Sequence, residues 1–533
     1  MAVRPILING QWRPAQAAAT FRAENPATCE LLPDEYPLSS WPDCDEALDA
    51  AGAAWAVLRT LPGEAIAQFL EEYARRIEVR KAELVETAHT ETALPKSPRL
   101  ADHELPRTTN QLRQAAAAAR DGSWALPTID VAAGIRSCHA SLGPVCVFGP
   151  NNFPLAFGSL SGGDFAAAIA AGNPVIGKGH ASHPSTTRLF AEAAEEARQA
   201  TGLPPGTVQL IYRTSHADGE RLVSDARVGA AGYTGSRAAG VKLKAAADAV
   251  GKPIYLELSS INPVVVLPGA LRERSEAIAA DFTTGCLLGA GQFCTNPGLL
   301  LVVRGAATDA FLELLRAKFL AAPVGTLLSQ SVATSYQQNL AELQAAGAEI
   351  LVGGTAGGGR GYSRANTLLR VTGQQFLIQP QVLQTEVFGN CSLLVIADDV
   401  AQLREVIGAL EGNLTGCVYS DTAGSDEAAY AQLVPLLRPR VGRLLNDKMP
   451  TGVAVSPAMN HGGPFPATGH PGFTAVGIPA ALRRFSMLEC YDNVRPHRLP
   501  MCLQDKNPNG KVWRLIDGRW TQGDVLAAEP ATV

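Results

Sequence analysis

Three short stretches carry residues able to do covalent chemistry on a carbonyl group. Leu288-Gly289-Ala290-Gly291-Gln292-Phe293-Cys294-Thr295-Asn296-Pro297 offers a thiol, Gly149-Pro150-Asn151-Asn152-Phe153-Pro154 a side-chain amide, and Tyr255-Leu256-Glu257-Leu258-Ser259-Ser260 a carboxylate. Each stands on a turn beside an apolar run. A thiolate attacks an aldehyde readily, whereas an alcohol would need a dedicated base. The resulting oxyanion needs fixed donors, each worth on the order of 3 kcal/mol, and a carboxylate can activate water. These are the parts needed for covalent oxidation of an aldehyde. Each residue alone also has an ordinary reading. A cysteine is commonly a small buried hydrophobe, an asparagine before Phe-Pro a helix cap, and a glutamate at a strand end an exposed or ion-paired group. Cys294 differs because Gly289, Gly291 and Pro297 flank it and shape the backbone for close approach by a ligand. Glu257 closes an apolar run, a costly place for a carboxylate that is neither paired nor functional.

The surrounding elements follow from hydrophobic periodicity. Residues 45–122 read as helices, with Ile66, Phe69, Leu70, Tyr73 and Ile77 at three- and four-residue spacing. Short apolar runs then alternate with alanine-rich helical segments: 145–148, 175–177, 208–211, 229–233 and 254–258. A second alternation follows residue 299, with strand candidates at 299–304, 393–397, 417–420 and 443–446. Such alternation implies βαβ units and parallel sheets covered on both faces. Two α/β domains are expected, with Glu257 at the end of the first, Cys294 early in the second, and a cleft between them. Leu7-Ile8-Asn9-Gly10-Gln11-Trp12 and Leu515-Ile516-Asp517-Gly518-Arg519-Trp520 each mark a hairpin turn. The stretch Gly353-Gly354-Thr355-Ala356-Gly357-Gly358-Gly359-Arg360 lacks the Lys-Ser/Thr of a phosphate loop and reads as an ordinary loop.

Composition excludes several classes. A chain of 533 residues calls for more than one domain. Its net charge of −5, with no dense Lys/Arg run, argues against a nucleic-acid partner. No apolar run reaches the ~18–20 residues that cross a bilayer, and the start lacks the apolar core of a signal peptide. Ten cysteines scattered without CxxC spacing read as reduced thiols of a cytoplasmic protein. Nine histidines include no HExxH motif, so no metal site is expected.

Taken together, the Gly-Gln-x-Cys, Asn-Phe-Pro and Glu-Leu-Ser-Ser motifs resemble those of the aldehyde dehydrogenase superfamily, over residues 7–494. The resemblance implies an aldehyde dehydrogenase-like α/β fold: two α/β domains with parallel sheets plus a small β oligomerisation element. Residues 1–122 and 142–257 would form the cofactor-binding domain and 258–480 the catalytic domain. Residues 123–141 and 481–510 would form the oligomerisation element, and 511–533 a C-terminal extension. It implies Cys294 as nucleophile, the Asn152 amide and the Cys294 backbone N–H as oxyanion donors, and Glu257 as general base. It also implies a homodimer or homotetramer acting on a small-molecule aldehyde. Asn151 stands where the family more often has an aromatic residue, and Ser259-Ser260 replaces Gly-Gly.

For the cofactor, the resemblance places Lys178 at the adenosine ribose, Gly235 and Ser236 at the pyrophosphate, and Glu386 and Phe388 at the nicotinamide ribose and ring. Asn390 replaces the usual proline of that last motif. Many NAD-preferring members carry a glutamate three positions after the lysine; here that position is Ala181. Without that carboxylate nothing repels a 2′-phosphate, so NADP is expected, with NAD also possible and Arg213 a second cation. Ala458-Met459-Asn460-His461-Gly462-Gly463-Pro464-Phe465 resembles a branch containing fatty aldehyde and 2,5-dioxovalerate (α-ketoglutaric semialdehyde) dehydrogenases. There a histidine lies near the nucleophile, which makes His461 a further candidate for proton handling. Ser259–Val264 and Gly291–Gly298 resemble the semialdehyde enzymes more. A far carboxylate needs a cation at the tunnel mouth. Arg107, at the start of a helix that lines the tunnel in the family, is the candidate, with Arg113 further along and Phe157 in the wall. A solvated arginine would leave a general or fatty aldehyde as substrate. Two further readings stay open: transfer of the acyl group to CoA instead of water, and a catalytically silent nucleotide-binding scaffold.

Overall fold

The computed structural model describes residues 3–526. Five short, wholly or largely buried segments form a parallel sheet in the order Ile254–Glu257, Ala230–Thr234, Val145–Phe148, Val175–Lys178, Val208–Ile211. The hairpin Ile6–Ile8/Gln11–Arg13 adds antiparallel strands at one edge. Its turn places Asn9 and Gly10 at φ 50° and 70°, the left-handed pair that Asn-Gly favours. The order reverses between Val145–Phe148 and Ala230–Thr234. In an open α/β sheet, ligands bind at the carboxyl ends of strands flanking such a switch point. Asn152 follows one of these strands and Gly235-Ser236 the other.

The helical reading of residues 45–122 is realised as Trp41–Leu58, Gly63–Val79, Lys81–Thr92, a π-helical stretch Lys96–Glu104 and Leu105–Asp121. Ile66, Phe69, Leu70, Tyr73 and Ile77 all face inward, into a core continuous with the first sheet.

A second sheet runs Glu349–Val352, Thr367–Thr372, Cys391–Ala397, Leu299–Val303, Pro263–Val266, Asn413–Tyr419, Val441–Asn446, parallel except at the first strand. Separate apolar clusters cover its two faces. Three of its strands, Glu349–Val352, Thr367–Thr372 and Pro263–Val266, escape the periodicity reading. The glycine-rich stretch at 353–360 joins the first two of them as a loop.

A third sheet joins Ser486–Asp492, Ile135–Ser141, Thr128–Asp130, Arg514–Ile516 and Arg519–Thr521. The C-terminal hairpin thus continues the sheet built from 128–141 and 486–492, while 527–533 of the expected extension lie outside the described residues. Among the described residues no helix is long and apolar enough to cross a membrane.

Candidate active site

Cys294 stands on a turn made possible by three successive left-handed residues, Gly289, Ala290 and Gly291, at φ 58°, 56° and 70°. A Cβ on Gly291 would sit 2.1 Å from the Gly389 carbonyl oxygen. Glycine there lets the 386–390 loop lie directly against the cysteine turn. Buried side chains fix the turn from below. Gln292 donates to the Gly289 and Thr326 carbonyls, both at 3.1 Å, and accepts from Leu328 N at 2.8 Å. Asn262 Nδ2 donates to the Cys294 and Asn296 carbonyls, both at 2.9 Å. Asn262 is held in turn by Ser260, Asn413 and Thr415. The serine that replaces a family glycine therefore has a place in this network.

Asn152 is buried and donates through Nδ2 to the Gln292 carbonyl at 3.0 Å. An amide nitrogen has two hydrogens, so one remains for an oxyanion. The Cys294 backbone N–H has no hydrogen-bond acceptor among the described residues. The Asn152 loop is clamped by residues that motif reading missed. Arg99 Nη2 donates to the Asn152 carbonyl at 2.9 Å, Arg99 pairs with Glu104, and Glu104 accepts from Leu155 N and Ala156 N at 2.8 and 3.0 Å. The Arg99 guanidinium also lies over the Phe153 ring, 4.1 Å from its centroid. Arg99 and Glu104 belong to the π-helical stretch, where the 3.6-residue period fails and spacing carries no signal.

Glu257 and His461 meet across chain-distant segments. Leu258 N donates to Ala467 O at 2.8 Å and Gly469 N to Leu256 O at 3.1 Å, so the segment after His461 docks along the end of the Glu257 strand. His461 Nε2 lies 2.8 Å from Glu257 Oε1 and 3.4 Å from Cys294 Sγ. One ring nitrogen therefore faces both the thiol and the carboxylate. Only one proton fits at that nitrogen, so it can be donated to Glu257 or drawn from Cys294. Burial, reinforced by the Glu257 charge, pushes the Cys294 thiol well above its ordinary pKa, and Arg107 partly opposes this. The resting sulfur is a thiol, and attack requires that its proton leave through an adjacent acceptor.

Arg107 lies in the first turn of Leu105–Asp121, half-buried, 5.0 Å over the Phe157 ring. Its Nη1 donates to the Val453 carbonyl, while Nε and Nη2 are buried with no partner. Burial pulls its pKa down, against the nearby Cys294, Glu104 and Glu257 charges. Phe157 packs with Phe153, Phe293 and Phe473 in an apolar wall. Arg113 is not part of this site. It pairs bidentately with Glu78 at 2.7 and 2.8 Å on the outer surface, because six residues is short of two full helical turns and rotates it away.

Lys178 ends its strand, half-buried, with burial and the neighbouring Arg213 pulling its pKa down to about 8. Arg213 is exposed on the adjacent strand end. Ser236 caps the helix Arg237–Asp248, accepting from Ala239 N at 3.4 Å, and Gly235 N donates to Glu257 O at 3.1 Å. Burial lifts the Glu386 carboxyl to about 7, against hydrogen bonds from Ser259 and Ser260. Phe388 is half-buried beside it. Asn390, in place of a proline, donates to Arg364 O and Asn366 Oδ1, both at 2.8 Å, and so anchors the loop from behind.

A doubly wound sheet whose switch point opens beside a half-buried thiol and a buried amide and carboxylate defines a nucleotide-binding enzyme of covalent carbonyl chemistry. The aldehyde dehydrogenase family model matches residues 12–449. The chain is 40% identical over 518 residues to α-ketoglutaric semialdehyde dehydrogenase 2 of Azospirillum brasilense, covering 95% of this chain and 97% of that one. It is 37% identical over 528 residues to α-ketoglutaric semialdehyde dehydrogenase of Acinetobacter baylyi, covering 97% and 98%. Its fold matches the NAD+ complex of an aldehyde dehydrogenase from Bacillus cereus with a TM-score of 0.78 at 21% identity, over 92% of this chain and 96% of that one. The chain belongs to the aldehyde dehydrogenase family and is an oxidoreductase acting on aldehydes.

Proposed function

We propose that the protein oxidises a semialdehyde bearing a remote carboxylate, 2,5-dioxovalerate, to 2-oxoglutarate with NADP, NAD being an alternative acceptor. The observation that carries this reading is Arg107: a half-buried arginine beside the Cys294 turn whose Nε and Nη2 nitrogens are buried and unpartnered. Leaving such donors unmade costs about 1–3 kcal/mol each, a cost that a carboxylate ligand removes by bidentate pairing. The two semialdehyde dehydrogenases at 37–40% identity point the same way.

Cys294 attacks the aldehyde carbon while its proton passes to His461 and on to Glu257. The Asn152 amide and the Cys294 N–H hold the oxyanion. Bound nicotinamide supplies the hydride acceptor. Glu257 releases the thiol proton to solvent and, with His461, then deprotonates the water that hydrolyses the thioester left on Cys294. The residues present fit the dinucleotide: Lys178 is a half-buried cation with no acid among the groups acting on it, and the N-terminus of Arg237–Asp248 can take a pyrophosphate. Gly235, Ser236 and Arg213 belong to the same end of the sheet, and Glu386 and Phe388 would hold the nicotinamide ribose and ring. Residues 1–122 and 142–257 serve as the cofactor domain and 258–480 as the catalytic domain. The third sheet serves oligomerisation to a homodimer or homotetramer, in keeping with the exposed Met487 and Leu488 on its edge strand. Ten unpaired cysteines suit a cytoplasmic enzyme.

The test is one assay: purified protein with NADP or NAD, a panel of 2,5-dioxovalerate, succinic semialdehyde and uncharged aldehydes of equal length, with and without CoA. The expected result is highest kcat/KM for a semialdehyde with a carboxylate, independent of CoA. Preference for long apolar aldehydes would replace this reading with a fatty aldehyde dehydrogenase. Strict dependence on CoA would make the protein an acyl-CoA-forming enzyme.

A further inference from the structure

We propose that Cys294, His461 and Glu257 also form a site for a divalent cation of zinc type, and that its occupation switches the enzyme off. Spacing along the chain points to no such site, because the three residues come from a strand end and two distant loops. In the fold, a sulfur, an imidazole nitrogen and a carboxylate oxygen lie within 4.8 Å of one another. The measured separations are 3.4 Å for sulfur to nitrogen and 2.8 Å for nitrogen to oxygen. Tetrahedral zinc with bonds of about 2.3 Å to sulfur and about 2.0–2.1 Å to nitrogen and oxygen sets neighbouring donors roughly 3.3–3.6 Å apart. A cation enters when the nitrogen–oxygen pair opens by about half an ångström and the sulfur–oxygen pair, which lies within 4.8 Å, settles at roughly 3.6 Å.

Two further observations point the same way. A single nitrogen, His461 Nε2, faces both other donors, which is the direction a shared cation requires. Glu257 Oε2 is buried and has no partner, so the carboxylate has coordinating capacity to spare. Binding displaces the Cys294 thiol proton to solvent, and the thiolate and carboxylate then balance a 2+ charge. The neighbouring Arg107 and Arg443 guanidiniums add positive charge. They disfavour weakly bound, strongly hydrated cations, while thiolate and imidazole donors select zinc, cadmium or cobalt over magnesium or calcium. A bound cation occupies the sulfur lone pair and the base together, so inhibition is complete and reversed by a chelator.

The binding test does not depend on the identity of the aldehyde. Metal-free full-length enzyme is titrated with Zn2+ alone against a chromogenic chelator, and with Co2+ while the near-ultraviolet spectrum is recorded. Iodoacetamide labelling of Cys294 is followed by peptide mass mapping with and without Zn2+. The expected result is one Zn2+ per chain, a thiolate-to-cobalt charge-transfer band, and protection of Cys294 by Zn2+ but not by Mg2+. In C294A and H461A, affinity should drop by at least the 10–100-fold that outer-shell changes cause at metal sites. Zn2+ affinity unchanged in C294A, a cobalt spectrum without the thiolate band, or equal alkylation of wild-type Cys294 under saturating Zn2+ would each overturn the proposal. The alkylation result stands on wild-type protein, so it decides the matter even where H461A fails to fold.

Discussion

Replacing Arg107 by methionine separates recognition of the substrate carboxylate from the chemistry at Cys294. The side chain makes one hydrogen bond, to the Val453 carbonyl, and one ring contact with Phe157, and leaves Nε and Nη2 without partners. A buried charged pair truncated on one side loses about 2–5 kcal/mol. Taking about 3 kcal/mol, kcat/KM for 2,5-dioxovalerate should fall roughly 150-fold in R107M. The carboxylate is remote from the reacting carbon and is held equally in ground and transition states, so the loss should fall on KM with kcat little changed. An uncharged aldehyde of the same length should change by less than about threefold, since methionine keeps most of the apolar contact. The free enzyme supplies a second readout. Losing the Val453 bond and the ring contact costs about 2–3 kcal/mol, while removing two buried donor nitrogens left without partners returns about 1–3 kcal/mol each. R107M should therefore melt at the wild-type temperature or above it. Steady-state kinetics with paired substrates and a thermal melt decide the matter. Equal losses on both aldehydes, or a melting temperature lowered by several degrees, would refute the argument and make Arg107 a clamp for the 450–459 loop.

Other outcomes follow from the same geometry. Cys294→Ala should abolish turnover while leaving NADP affinity, measured by fluorescence or calorimetry, close to wild type. Glu257→Gln should let an acyl-enzyme build up on Cys294, visible by intact mass after one addition of aldehyde. Because the Glu257 charge raises the thiol pKa, this variant should also react faster with iodoacetamide at a given pH, and R107M more slowly. Asn152→Ala should lower kcat about 10²–10³-fold, as loss of an oxyanion donor does, with KM for NADP unchanged. NADP should match or exceed NAD in kcat/KM, and Ala181→Glu should reverse this by repelling the 2′-phosphate. Lys178 is charged below about 8 and loses its proton as pH rises through that value. KM for NADP should therefore climb above pH 8 in the wild type while KM for NAD changes less.

Much of this protein was legible in its sequence because local rules governed it. The strands at 145–148 and 208–211 match the apolar runs that announced them, since a buried parallel strand must be apolar on both faces. Asn9-Gly10 and Asp517-Gly518 turn as their left-handed preference requires. Cys294, Asn152 and Glu257 could be singled out because the chemistry of each is written in its side chain and the turns carrying them are marked by glycine, proline and serine. Other features depended on which distant segments meet. Asn390, a departure from the family motif, anchors its loop through Asn366 and Arg364 rather than diverting it. Arg99 and Glu104 clamp the Asn152 loop from a π-helical stretch whose spacing has no regular face. Arg107 turns inward while Arg113 finds Glu78 outside, a difference set by helix rotation against a particular neighbour. His461 reaches both Cys294 and Glu257 because the segment 467–469 docks along the end of a strand some two hundred residues earlier in the chain. Side-chain type and local spacing determine which chemistry is available; the distances that bring a thiol, an imidazole and a carboxylate together arise only when a strand end and two distant loops pack against one another.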